Sequence, residues 1–392
     1  MKLDKFLNEK PLFYKEIDYT RMPRAWESIK DSLNPFKIIH IIGTNGKGST
    51  GRFLAQILHL QGKSVGHYTS PHIFDFRERF WLNGDVVSED ILEAAHKRLQ
   101  AMLSDEFKIK TSYFEYATLL AAVLFHECDF FICEAGMGGE LDATNVYEKL
   151  FNIFTPIGLD HVGVLGNNIE EISTTKFNAL EHDAKALLSD SMDKKSVKIL
   201  NQIAQKKSAS VKFASEILNE ADKEAIAEYA LKFSLPEFLA SNLTLAGAAS
   251  KALLGKFEIS DLDELNLHGR CERIASNVWV DVGHNELAAF AIAKKFRGKK
   301  LTLIYNSFAD KDFKAVLKAL KPIIKDVLIY EYESPERELA TNQIKLVLDD
   351  MGVAYDEFKG LKFTESQKSK EKYLAFGSFF LVEAFLRQFD AS

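Results

Sequence analysis

Two α/β units, each built on a mostly parallel sheet, are predicted by three observations. An apolar, β-branched run ends in a glycine turn and leads into a helix between residues 36 and 60; buried strands then alternate with helical segments; and the same alternation resumes beyond residue 268. At roughly 100–200 residues per domain, the 392-residue length agrees with more than one unit.

Phe36-Lys-Ile-Ile-His-Ile-Ile42 reads as a buried strand stopped by Gly43, and Arg52, Phe53, Leu54, Ile57 and Leu58 fall at helical spacing after Lys47. Ser64 to Tyr68 reads as a second short strand, and Ser88 to about Ser104 as a helix with Ser88 and Asp90 near its start. An apolar helix follows over Tyr113 to His126, then buried strands at Phe130–Cys133 and Leu150–Phe154. Such alternation indicates a parallel sheet covered on both faces. From Glu170 to Glu258 the pattern is mostly helical and charged, and the lysines at 194, 195 and 198 read as a solvated face. Glu258-Ile-Ser-Asp-Leu-Asp-Glu-Leu-Asn266 is polar and acidic and marks an interdomain linker. Beyond it come strands at 278–282, 301–305 and 327–330, helices at 286–296, 313–320 and near 339–348, and a final strand and helix around 373–386. The expected boundaries are therefore 1–257, a linker over 258–267, and a smaller α/β domain over 268–392.

Composition narrows the function classes. Fifty Lys and Arg against 56 Asp and Glu leave a net charge of −6, with none of the basic footprint of a nucleic-acid-binding protein. Hydrophobic residues at 46% and charged residues at 27% are the balance of an ordinary globular protein. Three cysteines (Cys128, Cys133, Cys271) without a C-x-x-C pair indicate neither a disulfide framework nor a zinc knuckle. No signal peptide or membrane span is visible, so a cytoplasmic protein without a membrane partner is expected.

The segment His40-Ile-Ile-Gly-Thr-Asn-Gly-Lys-Gly-Ser-Thr50 places glycines, a lysine and hydroxyls between strand and helix. Gly43 and Gly46 allow turns closed to other residues, so the N–H groups of Thr44, Asn45, Gly48, Ser49 and Thr50 can converge on phosphate at a helix N-terminus. Lys47 brings a charge to the β/γ phosphates and Ser49 a hydroxyl to Mg²⁺. The first domain is thus expected to be P-loop NTPase-like, and the second, smaller one Rossmann-like. The common G-x-x-x-x-G-K-[ST] form is not met, because Ile41 stands five before Gly46 and Gly48 separates Lys47 from Ser49.

That variant, G-T-x-G-K-G-S, resembles the Mur ligase superfamily, and specifically its folylpolyglutamate synthase and dihydrofolate synthase family. The likeness extends to His67-Tyr-Thr-Ser-Pro-His72 with Glu78-Arg79, to Glu134-Ala-Gly-Met-Gly-Gly-Glu-Leu-Asp-Ala-Thr-Asn-Val146, to Gly158-Leu-Asp-His161 with Leu165-Gly166, and to Lys176. It continues in His268-Gly-Arg270, Asp281-Val-Gly-His-Asn285 and Gly377-Ser378, so that it spans about residues 36 to 380 in the family's order.

The resemblance implies an ATP-dependent ligase that joins L-glutamate to dihydropteroate and to reduced folates. It implies Mg²⁺, one or two ions, held by Ser49, Ser70, Glu134 and His161. Glu134 has an argument of its own, since ligands gather where strands end in open α/β sheets. His161 alone would read as a turn histidine. Lys176, otherwise an ordinary helical lysine, corresponds to a carbamylated residue of the family. Asn242 corresponds to an adenine contact and Arg270 to an ATP contact; Asp281 suits ribose hydroxyls, and His284 and Ser378 the incoming glutamate. Tyr68, Pro71, Arg79 and Asp142 fall to the pterin-bearing substrate. Lys47, Lys176 and His284 are the expected catalytic set, and a monomer is expected. The alternatives are a monofunctional folylpolyglutamate synthase, or a nucleotide-binding switch protein with no acceptor substrate.

Overall fold

A computed structural model describes residues 1–10, 18–34, 36–334, 337–363, 366 and 370–390. The chain divides into two compact units: Met1–Ile157, His161–Leu235 and Leu239–Asn266 form the first, and Gly158–Asp160, Pro236–Phe238 and Leu267–Ser392 the second.

The first unit is organised by eight strands: β1 (Ile38–Ile42), β2 (Val65–Tyr68), β3 (Phe80–Leu82), β4 (Asp85–Val86), β5 (Phe130–Glu134), β6 (Phe151–Phe154), β7 (Lys185–Leu188) and β8 (Ser210–Phe213). Their order is β4-β3-β2-β5-β1-β6-β7-β8. The pairings from β2 to β8 are all parallel, and β3 and β4 add an antiparallel edge. β1 therefore lies in the middle of the sheet, which is why all five of its residues are buried.

The helix Lys47–Leu60 follows β1 and buries Phe53, Leu54, Ile57 and Leu58 completely, against Ile39, Ile41 and Ile132. Each such side chain contributes roughly 1.5–3 kcal/mol. The opposite face of the sheet packs Tyr68, Phe131 and Cys133 against the helix Tyr113–Phe125. Ser112 starts that helix by accepting the Glu115 N–H, while Glu115 accepts from the Ser112 N–H, a reciprocal cap. Ser88 caps the helix Glu89–Met102 at the Ile91 N–H, as its position predicts.

Two features were not legible. β7 and β8 lie within the stretch that reads as mostly helical; each is four residues long, and β8 is an edge strand with no fully buried residue. The acidic segment 258–266 packs with the first unit through buried Ile259 and Leu262, and the chain passes to the second unit at Leu267.

The second unit carries six strands: β9 (Glu272–Ala275), β10 (Val278–Asp281), β11 (Leu301–Tyr305), β12 (Ile324–Ile329), β13 (Tyr355–Glu357) and β14 (Tyr373–Phe376). They order as β13-β12-β11-β14-β10-β9, parallel except for β9 at the edge. Its core joins Leu303, Val327 and Leu374 to Leu317, Ile344 and Ile292 from the flanking helices. Among the described residues no helix is long and apolar enough to cross a membrane.

Candidate active site

The loop after β1 is held from below. Thr44 and Asn45 donate their N–H groups to the Pro156 carbonyl, at 3.0 and 3.2 Å. Gly46 is left-handed (φ +86°) and immediately precedes the helix Lys47–Leu60. A side chain at Gly43 would collide with the hydroxyl and carbonyl of Thr155, so the loop can seat this low only with glycine there. Gly43→Ala should therefore cost about 1–3 kcal/mol of stability and weaken nucleotide binding at least tenfold. Thermal melting and nucleotide titration check this, and unchanged affinity would contradict it. Asn242 lies 6% exposed with its side-chain amide packed directly on Gly46, which puts the sequence-predicted adenine residue beside the loop.

Lys47 Nζ is 3.8 Å from Glu134 Oε1 and 3.4 Å from the Thr44 carbonyl oxygen. Glu134, the last residue of β5, is 4% exposed, and its other oxygen accepts from the Thr69 hydroxyl and from the Ser70 N–H at 3.2 Å. One carboxylate oxygen is thus spent on the protein, while the other faces the lysine. Ser49 is buried in the first turn of its helix. His161 is exposed on a turn, with φ +50°, and its carbonyl accepts from Val164 and Leu165, both at 3.1 Å. Among the described residues no three His, Cys, Asp or Glu side chains form a metal cage. The donors present, one carboxylate oxygen and a hydroxyl beside a phosphate loop, suit a hard ion that keeps phosphate and water ligands.

The segment after Glu134 is a tightly folded loop. The Asp142 carboxylate gathers the N–H groups of Gly136 (3.3 Å), Met137 (3.0 Å), Gly138 (3.0 Å) and Thr144 (3.1 Å), and the Thr144 hydroxyl (2.7 Å). Burial opposes its ionisation, but the bonds from Thr144 and Gly138 outweigh this and hold its pKa below the ordinary value. Gly139 packs on the backbone of Lys176, where any side chain would collide. Lys176 is buried at 3% exposure, unlike an ordinary helical lysine, and its ammonium donates to the carbonyls of Gly43 (3.0 Å) and Met137 (2.7 Å). It thus ties the phosphate loop to the loop that Asp142 organises.

On β2, Tyr68 is completely buried, with its ring 5.5 Å from Phe80 and 6.2 Å from Phe114. Pro71 is exposed beyond it. Arg79 donates from Nε to His72 Nδ1 at 2.9 Å and lies 5.4 Å over the Tyr113 ring. Burial, with the Arg79 charge, pushes His72 down to about 4, which leaves its ring nitrogen a neutral acceptor.

In the second unit, Asp281 ends β10 with both oxygens engaged, by the N–H groups of Cys271 (2.8 Å) and Gly283 (2.7 Å). Burial raises its pKa despite those bonds. Arg270 packs 5.1 Å over Phe379 and donates to the Gly269 carbonyl. Ser378 accepts from the Leu381 N–H and meets the Tyr332 hydroxyl, each at 3.0 Å. His284 Nε2 is 3.2 Å from Asp160, whose other oxygen accepts from Lys311 at 2.6 Å; Asn285 donates to Asp160 at 3.3 Å.

Sequence reasoning missed Asp160, Lys311, Tyr332 and Thr69 as parts of these clusters. Asp160 and His284 are 124 residues apart, so no local pattern could have paired them. The Leu-Asp-His motif is the one local signal, and it points to its histidine.

A strand-to-helix phosphate loop, its lysine opposed by a strand-end glutamate, and a second parallel α/β unit define a P-loop nucleotide-binding protein of ligase type. No family model matches the chain. A curated dihydrofolate synthase/folylpolyglutamate synthase of Bacillus subtilis (strain 168) is 28% identical over 399 residues, covering 92% of each chain. The crystal structure of Helicobacter pylori folylpolyglutamate synthetase is similar at 37% identity and a TM-score of 0.79, over 100% of this chain and 98% of that one. That of E. coli FolC in complex with DHPP and ADP is similar at 25% identity and a TM-score of 0.81, over 100% and 98%. The chain belongs to the dihydrofolate synthase/folylpolyglutamate synthase family.

Proposed function

We propose that this chain joins L-glutamate to dihydropteroate, forming dihydrofolate, and to the γ-carboxylate of reduced folates, with ATP as the energy source. The observation that carries this reading is Lys47 set against the end of β5 at Glu134, above a glycine loop, in a chain alike over its whole length to folylpolyglutamate synthetase. The γ-phosphoryl group of ATP passes to the acceptor carboxylate and gives an acyl phosphate. The α-amine of glutamate attacks the acyl carbon, and the tetrahedral intermediate expels phosphate to leave an amide.

Lys47 and the N–H groups at the start of its helix would hold the phosphates and offset the charge that develops on the transferring group. Ser49 and Glu134, with Ser70 and His161 as further candidates, would hold Mg²⁺, which when bound supplies added charge neutralisation at the phosphates. Asn242 would meet the adenine, and Arg270 and Asp281 the rest of ATP. Pro71, Arg79 and the loop under Asp142 would receive the acceptor. His284 and Ser378 would receive glutamate. The bonds of Lys176 to Gly43 and Met137 support an ammonium in the resting state; carbamylation would exchange those donors for an anion, and ¹³C-bicarbonate NMR reads the adduct directly. The same reading takes the chain as a monomer.

The test is phosphate release from Mg·ATP and glutamate, with dihydropteroate or tetrahydrofolate as acceptor and the product identified by mass. Amide from both acceptors is expected, and EDTA should abolish it until Mg²⁺ is restored. The name of the Helicobacter pylori relative favours a second reading, chain extension alone; product from tetrahydrofolate only would establish it. Phosphate release without any acceptor would point to a nucleotide switch.

A further inference from the structure

His40 takes no part in the proposed ligation, yet it is the one polar residue of β1. It is 0% exposed, and its Cα partners are Cys133 on β5 and Asn152 on β6. Its Nε2 lies 2.8 Å from the Thr144 hydroxyl oxygen. That hydroxyl donates its own hydrogen to Asp142 Oδ1 at 2.7 Å, so toward the histidine the Thr144 oxygen can only accept. Nε2 therefore carries the proton. Nδ1 has no partner among the described residues, which the neutral tautomer tolerates better as a lone pair than as an orphaned N–H. Burial, assisted by the Lys149 charge and opposed by Asp142, pushes the imidazole down to about 3, so this single form persists across the working pH range.

From Thr144 the connection continues without a break. Asp142 gathers the N–H groups of Gly136, Met137 and Gly138, the Met137 carbonyl receives Lys176, and Lys176 also bonds Gly43, three residues beyond His40 on the same chain. The path returns to His40 through the backbone from Gly43, under the phosphate loop. Gly136 packs on Phe114 and Gly139 on the Lys176 backbone, so a side chain at either place would collide.

We propose that His40 is a positioning residue of the ligase, holding through Thr144 and Asp142 the 136–138 turn against Lys176. The kinetic consequences rest on the proposed function; the effect on the turn does not.

The test compares His40→Leu, His40→Gln and Thr144→Val in the full chain. Gln keeps an N–H donor near the place of Nε2, whereas Leu removes it. Amide hydrogen exchange of Gly136, Met137, Gly138 and Thr144, measured without ligands, should quicken at least tenfold in His40→Leu and in Thr144→Val. It should return most of the way to wild type in His40→Gln. In turnover assays the acceptor KM should rise at least fivefold in His40→Leu, with the ATP KM changed less than twofold, and the His40→Leu/Thr144→Val double variant should be no worse than the more affected single one. Unchanged exchange at 136–138, a His40→Gln no better than His40→Leu, or multiplying effects in the double variant would overturn the proposal. If His40→Leu does not fold, Thr144→Val and His40→Gln decide the same question. A wild-type chain inactive on every folate acceptor would refute the ligase reading and leave the exchange comparison intact.

Discussion

Replacing Lys47 by methionine is expected to lower kcat/KM by about a thousandfold or more while the melting temperature stays near that of the wild type. Methionine keeps the aliphatic stem that packs beside the loop and removes only the charge. A preorganised donor aimed at developing charge is worth about 10²–10³ in rate, and a thousandfold loss corresponds to about 4 kcal/mol of transition-state stabilisation. The fold should be spared because, among the described residues, the ammonium makes only long interactions: 3.8 Å to Glu134 and 3.4 Å to the Thr44 carbonyl oxygen. Glu134 keeps its bonds from Thr69 and Ser70. Steady-state kinetics beside a thermal melt checks both halves. Activity within tenfold of wild type, or a collapse of the melting temperature, would remove Lys47 from its assigned role.

Asp160→Ala should be the most damaging single change in the second unit. Its carboxylate, 7% exposed as a side chain, takes Lys311 on one oxygen and both His284 and Asn285 on the other. Removing one partner of a buried ion pair costs about 3–5 kcal/mol because the other charge is stranded. Here about 2–3 kcal/mol is expected, since His284 and Lys311 keep 27% and 13% side-chain exposure and can be partly solvated. Denaturant melts should record that loss. With His284 released, the KM for glutamate should rise at least tenfold while the KM for ATP holds. Asp160→Asn, which keeps one acceptor, should fall between the two. An Asp160→Ala chain with wild-type stability would show that the cluster carries no weight.

Much of the fold was legible because its signals are local. β1, β5, β6 and β11 are apolar, β-branched or aromatic runs closed by turn residues, and the capping serines at 88 and 112 stand where the helices begin. β7 and β8 escaped because four-residue strands among charged helices carry too little periodicity to register, and their pairing is set by neighbours far along the chain. The acidic segment 258–266 reads as a linker on polarity alone. It holds to the first unit through Ile259 and Leu262, and its backbone is gripped by Arg52 and Gln56 from the phosphate-loop helix.

By itself the sequence determined the parallel α/β architecture and the phosphate loop with its lysine and hydroxyls. Through motifs kept in order, it also determined the family. Those properties depend on neighbours within a few residues, where steric preference and hydrogen-bonding valence act directly. Only the tertiary structure decided that Tyr68 is core and that Lys176 is a buried tie between two loops. It alone decided that Asp142 spends its carboxylate on its own turn and that Asp160, Lys311 and His284 share one site. Burial and charge pairing are properties of what the chain brings together from a distance, and composition or spacing cannot state them.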